Sequence, residues 1–193
     1  MTEEEMIEKR RYRPQPGTEL RVFAYGSLMW RPDFPFIDIQ PATLYGYHRA
    51  FCITSTHYRG SEARPGLVLG LDRGGQCLGR LYRVSSLDAE KAADYLHRRE
   101  MVTGVYIPRI VTARLTDGKD LTALTFIADR QHPQYAGKLS AEEVVEKIRD
   151  AVGIAGPNID YLRNTVQHLD EMGIGDCALH RILRMLDGDK AAK

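Results

Sequence analysis

The sequence predicts an α+β fold: a mixed, mostly antiparallel sheet or small barrel with helices packed around it and a helical C-terminal third. Two observations predict this. Short apolar runs separated by turn residues fill the chain from Leu20 to Ala128, and apolar stripes at helical spacing fill it from Ser140 onward. A third bounds the answer: 193 residues, 43% hydrophobic and 27% charged, suffice for one soluble domain with its own core.

The elements follow in order. Residues 1–18 are charged and then rich in Pro and Gly, which reads as a helical or frayed leader and a linker. A single domain is expected over 19–188, with a short tail at 189–193. Leu20–Tyr25 reads as a strand that stops at Gly26-Ser27. Further strands are expected at Ala50–Thr54, Leu67–Leu71 and Cys77–Val84, with Asp72-Arg73-Gly74-Gly75 as a hairpin turn between the last two. Ser85 or Ser86 caps a helix running to Glu100, with Asp88 and Glu90 in its first turn. Strands return at Tyr106–Arg114 and Leu121–Ala128 around the turn Thr116-Asp117-Gly118.

In the last third, Ser140 and Glu143 have capping-box spacing, and Val144, Ile148 and Val152 follow at four-residue intervals. Tyr161, Leu162, Thr165, Val166 and Leu169 form a second stripe ended by Gly173. Leu179, Ile182, Leu183 and Leu186 form a third.

Bulk properties exclude several function classes. A formal net charge of +1 gives no electrostatic case for nucleic acid or a membrane surface as partner. No apolar run approaches the ~20 residues of a membrane helix. The acidic start Met1–Glu5 is unlike a signal peptide. The three cysteines, Cys52, Cys77 and Cys177, lack metal-clip or redox spacing and read as reduced thiols of a cytoplasmic protein. The six histidines show no metal-ligand pattern. This leaves a small-molecule substrate open as partner without requiring one.

The loop Tyr25-Gly26-Ser27-Leu28 is the first candidate site. A glycine where a strand ends lets the backbone come close to a ligand, and successive N–H groups in such a turn make a nest for an anion. Taken alone, it is equally an ordinary turn. It lacks the Gly-x-Ser-x-Gly frame of a nucleophile elbow and the Gly-Lys-Ser/Thr of a phosphate loop.

The run Val22-Phe23-Ala24-Tyr25-Gly26-Ser27-Leu28-Met29-Trp30-Arg31-Pro32 resembles the opening signature of ChaC-type γ-glutamylcyclotransferases, and the resemblance extends from about Leu20 to Leu186. Further segments keep the family order: Ser55–Gly60 ahead of Pro65-Gly66, the strand Cys77–Val84, Tyr95–Glu100, His132–Gly137, and Asn158–Leu162. Three departures stand out. Ala24 replaces a common Gly. The stretch Met101–Val105 before Tyr106 is longer than the Gly-Gly-Tyr of many relatives, so the equivalence of Tyr106 is open. Residues 1–18 have no counterpart.

The resemblance implies a γ-glutamylcyclotransferase fold and an enzyme that closes the γ-glutamyl group of glutathione into 5-oxoproline, releasing Cys-Gly. No metal, nucleotide or other cofactor is implied. It makes Glu100 the acid/base and assigns Tyr25, Gly26, Ser27 and Leu28 to substrate positioning. Tyr106 and Tyr135 become candidates for hydrogen bonds to substrate, and Arg59 for the glycine carboxylate. By spacing alone Glu100 reads as a solvated charge beside Arg98 and Arg99, and it is the family match that makes it the acid/base. The tyrosines are equally core aromatics, and Arg59 a surface ion-pair member. His97, three residues before Glu100, is at most a supporting residue, and Trp30 is expected to pack beneath the loop. Two alternatives remain: a cyclotransferase acting on other γ-glutamyl compounds, and a ligand-binding regulator of cation transport without chemistry.

Overall fold

Residues 2–191 are described by the computed structural model of the chain. Its elements are α1 (Glu3–Lys9), β1 (Leu20–Ala24), a 3-10 turn at Ser27–Met29, β2 (Asp38–Ser55), β3 (Gly66–Val84), α2 (Ala89–Glu100), β4 (Tyr106–Leu115) and β5 (Asp120–Ala128). They continue with α3 (Ala141–Arg149), the short strands β6 (Val152–Gly153) and β7 (Gly156–Pro157), α4 (Asn158–Glu171) and α5 (Cys177–Ala191). The α+β architecture matches the expectation. Of the expected tail, α5 takes up residues to Ala191, and 192–193 lie outside the described residues.

The chain divides into two compact units, one of residues 1–50 and 70–132, the other of 51–69 and 133–193. The first holds a closed barrel in the order β1-β3-β2-β4-β5. β1 lies antiparallel to β3, with Val22 opposite Tyr82, and parallel to β5, with Val22 opposite Leu124. Apolar residues from several strands meet inside: Phe23, Leu44, Leu71, Leu81, Ala113 and Ile127 belong to one buried cluster. That closure removes sheet edges that would otherwise need covering.

One expected turn is absent. Asp72–Gly75 lies inside the continuous strand β3, with Gly74 (φ 101°) and Gly75 (φ 70°) in the left-handed region. Paired glycines of this conformation serve a kink within a strand as well as a hairpin, which is the geometry of a β-bulge. His48 of β2 meets the Gly74 carbonyl there through Nδ1 (3.0 Å). Asp72, 4% exposed, accepts from Arg130 Nε at 2.7 Å.

α2 also begins later than its serine signal suggests. Ser85 Oγ donates to Asp88 (2.8 Å), organising a turn at 85–88 before the helix starts at Ala89. The turn at 116–118 is present, and Lys119 N–H donates to Asp117 Oδ1 (2.9 Å).

In the second unit, α3 carries the expected capping box between Ser140 and Glu143. Val152 falls outside that helix, exposed in β6, because α3 ends at Arg149. The buried side chains Leu162, Val166 and Leu169 of α4, and Leu179, Ile182 and Leu186 of α5, follow the sequence stripes. Asn158, fully buried at the start of α4, clamps one residue of β3: its Oδ1 accepts from Leu67 N–H (2.7 Å) and its Nδ2 donates to Leu67 O (2.8 Å). Removing both partners at once leaves two buried backbone groups unmatched. Asn158→Ala is therefore expected to destabilise the protein by about 2–4 kcal/mol in chemical denaturation, against about 1 kcal/mol for a typical substitution.

Candidate active site

The loop after β1 is held from behind by side chains of the barrel. Arg49, a buried residue of β2, donates through Nε to the Tyr25 carbonyl and through Nη2 to Leu78 O (2.7 Å). Tyr82 of β3 donates its phenol to the carbonyls of Leu28 (3.1 Å) and Met29 (2.9 Å), and Arg80 also reaches Met29 O (3.4 Å). Within the turn, the Gly26 carbonyl accepts from Met29 N–H (2.8 Å) and the Ser27 carbonyl from Arg31 N–H (2.8 Å). The loop carbonyls are thus engaged, which is what a backbone needs before it can present its N–H groups outward. Nothing lies within 4 Å of the place a Cβ would occupy on Gly26. The glycine leaves open space there, as close approach of a ligand requires.

The side chains of Tyr25 (8% exposed) and Leu28 (7%) are buried, Tyr25 within the barrel cluster. What these residues offer is backbone. Ser27 Oγ accepts from Arg99 Nη2 (3.0 Å). Trp30 closes the turn half-buried.

Glu100 is the last residue of α2. Its side chain is 17% exposed, and Arg99 Nε stands 3.4 Å from its Oε1. Burial pushes its carboxyl up to about 7, with Arg99 opposing. Arg99 therefore does face Glu100, although successive helical residues ordinarily diverge. At the helix end, where Met101 leaves the helical conformation, the two can converge on one side. The same guanidinium donates to Arg31 O (2.7 Å) and to the Tyr95 phenol (2.8 Å) and pairs with Asp33 (3.3 Å). One arginine thus joins the helix that ends in Glu100 to the loop.

Three residues of this arrangement were not apparent from the sequence: Arg99, Arg49 and Tyr82. The Arg99-Glu100 adjacency was visible, but nothing marks which way an arginine turns at a helix end. His97, the expected supporting residue, places Nε2 3.5 Å from Glu8 of α1.

Tyr106, half-buried, opens β4 opposite Ala128 in the same unit. The two other candidates belong to the second unit. Tyr135 bridges Ile53, and Arg59 lies over the Tyr161 ring (5.4 Å) and donates to Pro157 O (3.3 Å). The structure thus links loop 25–28 and Glu100, places Tyr106 in their unit, and sets Tyr135 and Arg59 in the other.

The family model described as ChaC-like protein matches residues 20–188. A glutathione-specific γ-glutamylcyclotransferase of Escherichia coli is 38% identical over 171 residues, 89% of this chain and 74% of that protein. The human glutathione-specific γ-glutamylcyclotransferase 1 is 39% identical over 147 residues, 74% of this chain and 66% of its own. In fold, a yeast γ-glutamyl cyclotransferase specific to glutathione superposes with a TM-score of 0.80 at 22% identity, covering 89% of this chain and 96% of that one.

The raised carboxyl has a cost that can be measured. Between the ordinary value of 4.5 and about 7, the folded protein holds a proton on Glu100 that the unfolded chain has released, so stability falls as pH rises through this window. Glu100→Gln removes the penalty. The variant is expected to be more stable than wild type by about 3 kcal/mol at pH 8, with the advantage vanishing below about pH 4.5, as read from denaturation at a series of pH values.

Proposed function

The chain belongs to the ChaC-like family, and from that membership we propose that it is a glutathione-specific γ-glutamylcyclotransferase with Glu100 as acid and base. Its relatives are enzymes of this kind. The observation that carries the reading is the Arg99 guanidinium, which meets both Ser27 Oγ and the Glu100 carboxyl and so gathers a substrate cradle and a proton carrier in one place.

The reaction is intramolecular. The α-amine of the γ-glutamyl group attacks its own γ-carbonyl carbon, a five-membered ring closes, and the C–N bond to the cysteine nitrogen breaks. Holding both groups in one folded substrate supplies much of the acceleration. The attacking nitrogen passes from ammonium to lactam N–H and loses two protons. The leaving nitrogen passes from amide to ammonium and gains two. Glu100 carries each in turn and ends as it began. A carboxyl near 7 is populated in both forms at neutral pH, which suits a group that must take and give. In this scheme the N–H groups of the loop 25–28 position the substrate, since successive backbone N–H groups in a turn favour a negatively charged oxygen.

Ser27 is not the nucleophile in this scheme: its oxygen accepts from a guanidinium, and the attacking group is the substrate's own amine. Among the described residues, no helix is long and apolar enough to cross a membrane. Cys52, Cys77 and Cys177 are not joined in disulfides, which suits a cytoplasmic, reducing location.

Purified protein incubated with glutathione, γ-Glu-Ala and γ-glutamyl-ε-lysine should release 5-oxoproline from glutathione alone. Release from another donor instead would redirect the substrate assignment, and binding without release would make the protein a regulator. Glu100→Gln should abolish turnover, by at least about 100-fold, while leaving the circular dichroism spectrum intact. Undiminished turnover in that variant overturns the mechanism.

A further inference from the structure

Two segments flanking the barrel strands meet in space. The leader precedes residue 20, where the family match begins, and Met101–Val105 is the stretch that follows Glu100. Arg10, at the end of α1, donates through Nη1 to the Gly104 carbonyl (3.2 Å) and through Nη2 to Asp129 Oδ2 (2.9 Å). Ile7 packs on Gly104, where an added Cβ would come within 3.2 Å of it. α1 is also laid along α2: Arg11 pairs with Asp94 (2.7 Å) and Glu8 lies 3.5 Å from His97. The leader is therefore docked on the helix that ends in Glu100 and on the turn that leaves it.

That turn needs an anchor. Gly104 has φ 69° and Val102 is 58% exposed, while Met101 and Val105 on either side are buried. Val105 O is tied to Asp129 N–H (2.8 Å), so Asp129 already marks where the turn rejoins the barrel. Arg10 bridges the two points, and Asp129, 8% exposed, depends on it for a counter-charge.

We infer that the leader helix is a strap for the catalytic base: Arg10, as a positioning residue, and Ile7 pin the turn 101–104 and thereby hold the Glu100 carboxyl in its enclosed place. The inference rests on Glu100 being the base of the proposed reaction. Among the described residues, the charged group given at ion-pair distance from Glu100 is Arg99. The charges α1 brings nearby are each engaged elsewhere: Glu8 with Arg11 and His97, Arg11 with Asp94, Arg10 with Asp129. The leader thus acts on Glu100 through enclosure.

The experiment follows the Glu100 carboxyl directly, by carbon NMR of protein labelled at glutamate, with its resonance identified by its absence in Glu100→Gln. In wild type the midpoint should fall near 7. Arg10→Ala should loosen the turn, admit water and move the midpoint down by about one unit or more. Its kcat should drop by about tenfold, with KM changed less than about twofold. Arg10→Lys, which keeps a donor and the charge for Asp129, should restore most of both. A folded Arg10→Ala with an unmoved midpoint overturns the inference. So does a loss of activity matched by the unfolded fraction alone. Should Arg10→Ala fail to fold, Ile7→Ala applies the same test without touching the ion pair. Turnover surviving in Glu100→Gln would sink the assignment of the base, while the NMR midpoints would still decide whether the strap exists.

Discussion

The Arg99–Glu100 contact governs what the first unit can do, and its weakness is the point. A guanidinium gripping a carboxylate with two parallel bonds would hold it ionised and depress its titration. Here one nitrogen stands 3.4 Å away, and the rest of the guanidinium serves Ser27, Arg31, Tyr95 and Asp33. Its charge is shared among acceptors, so the loss of water around Glu100 outweighs the attraction. The carboxyl is left near neutrality in its titration rather than in the acid range. The same sharing fixes the loop, since each acceptor Arg99 serves outside α2 lies between Ser27 and Asp33.

That loop is a solved problem of backbone accounting. A chain leaving a barrel strand inward must satisfy its carbonyls or pay for burying them. Arg49, Tyr82, Arg80 and Arg99 each approach a carbonyl from the protein side. Burying an arginine such as Arg49 is costly, and it is tolerated because its donors end on the Tyr25 and Leu78 carbonyls. The barrel therefore sets the direction of the turn, whose backbone carbonyls are engaged by side chains of the same unit. Closure of β1 between β3 and β5 is what keeps those donors and acceptors in register.

Much of this frame was legible in the residues, and the failures have identifiable causes. Alternation and turn chemistry located β1, β4 and β5, and capping located α3, because those signals act over a few neighbouring residues. Gly74-Gly75 read as a hairpin because positive φ serves a turn and a bulge alike, and only a partner strand distinguishes them. Val152 kept helical spacing with Ile148, but the helix had already ended at Arg149. Glu100 was indistinguishable from a solvated charge by spacing, because burial is set by tertiary packing that spacing does not report. Arg49 and Tyr82 carry no local signature whatever: a lone arginine in a strand and a buried tyrosine become informative only once their targets are known. Tyr135 and Arg59 illustrate the opposite limit, since family order placed them as candidates while their visible contacts are within their own unit.

The chemistry asks little of such a site, and that explains its construction. Ring closure within one molecule needs no second substrate and no covalent intermediate, so the protein must supply a fixed conformation and a proton carrier. A carboxyl at the ordinary value of 4.5 would be a poor donor to a leaving amine at neutral pH, and one pushed far above 7 would be a poor acceptor. The useful range is narrow, and it is set here by a balance between enclosure and a partly committed arginine. In the proposed reaction, freeing Arg99 from its other acceptors to close on the carboxylate tips the balance towards a permanently ionised group. On that reading the stability given up by burying Glu100 is inseparable from moving protons in both directions.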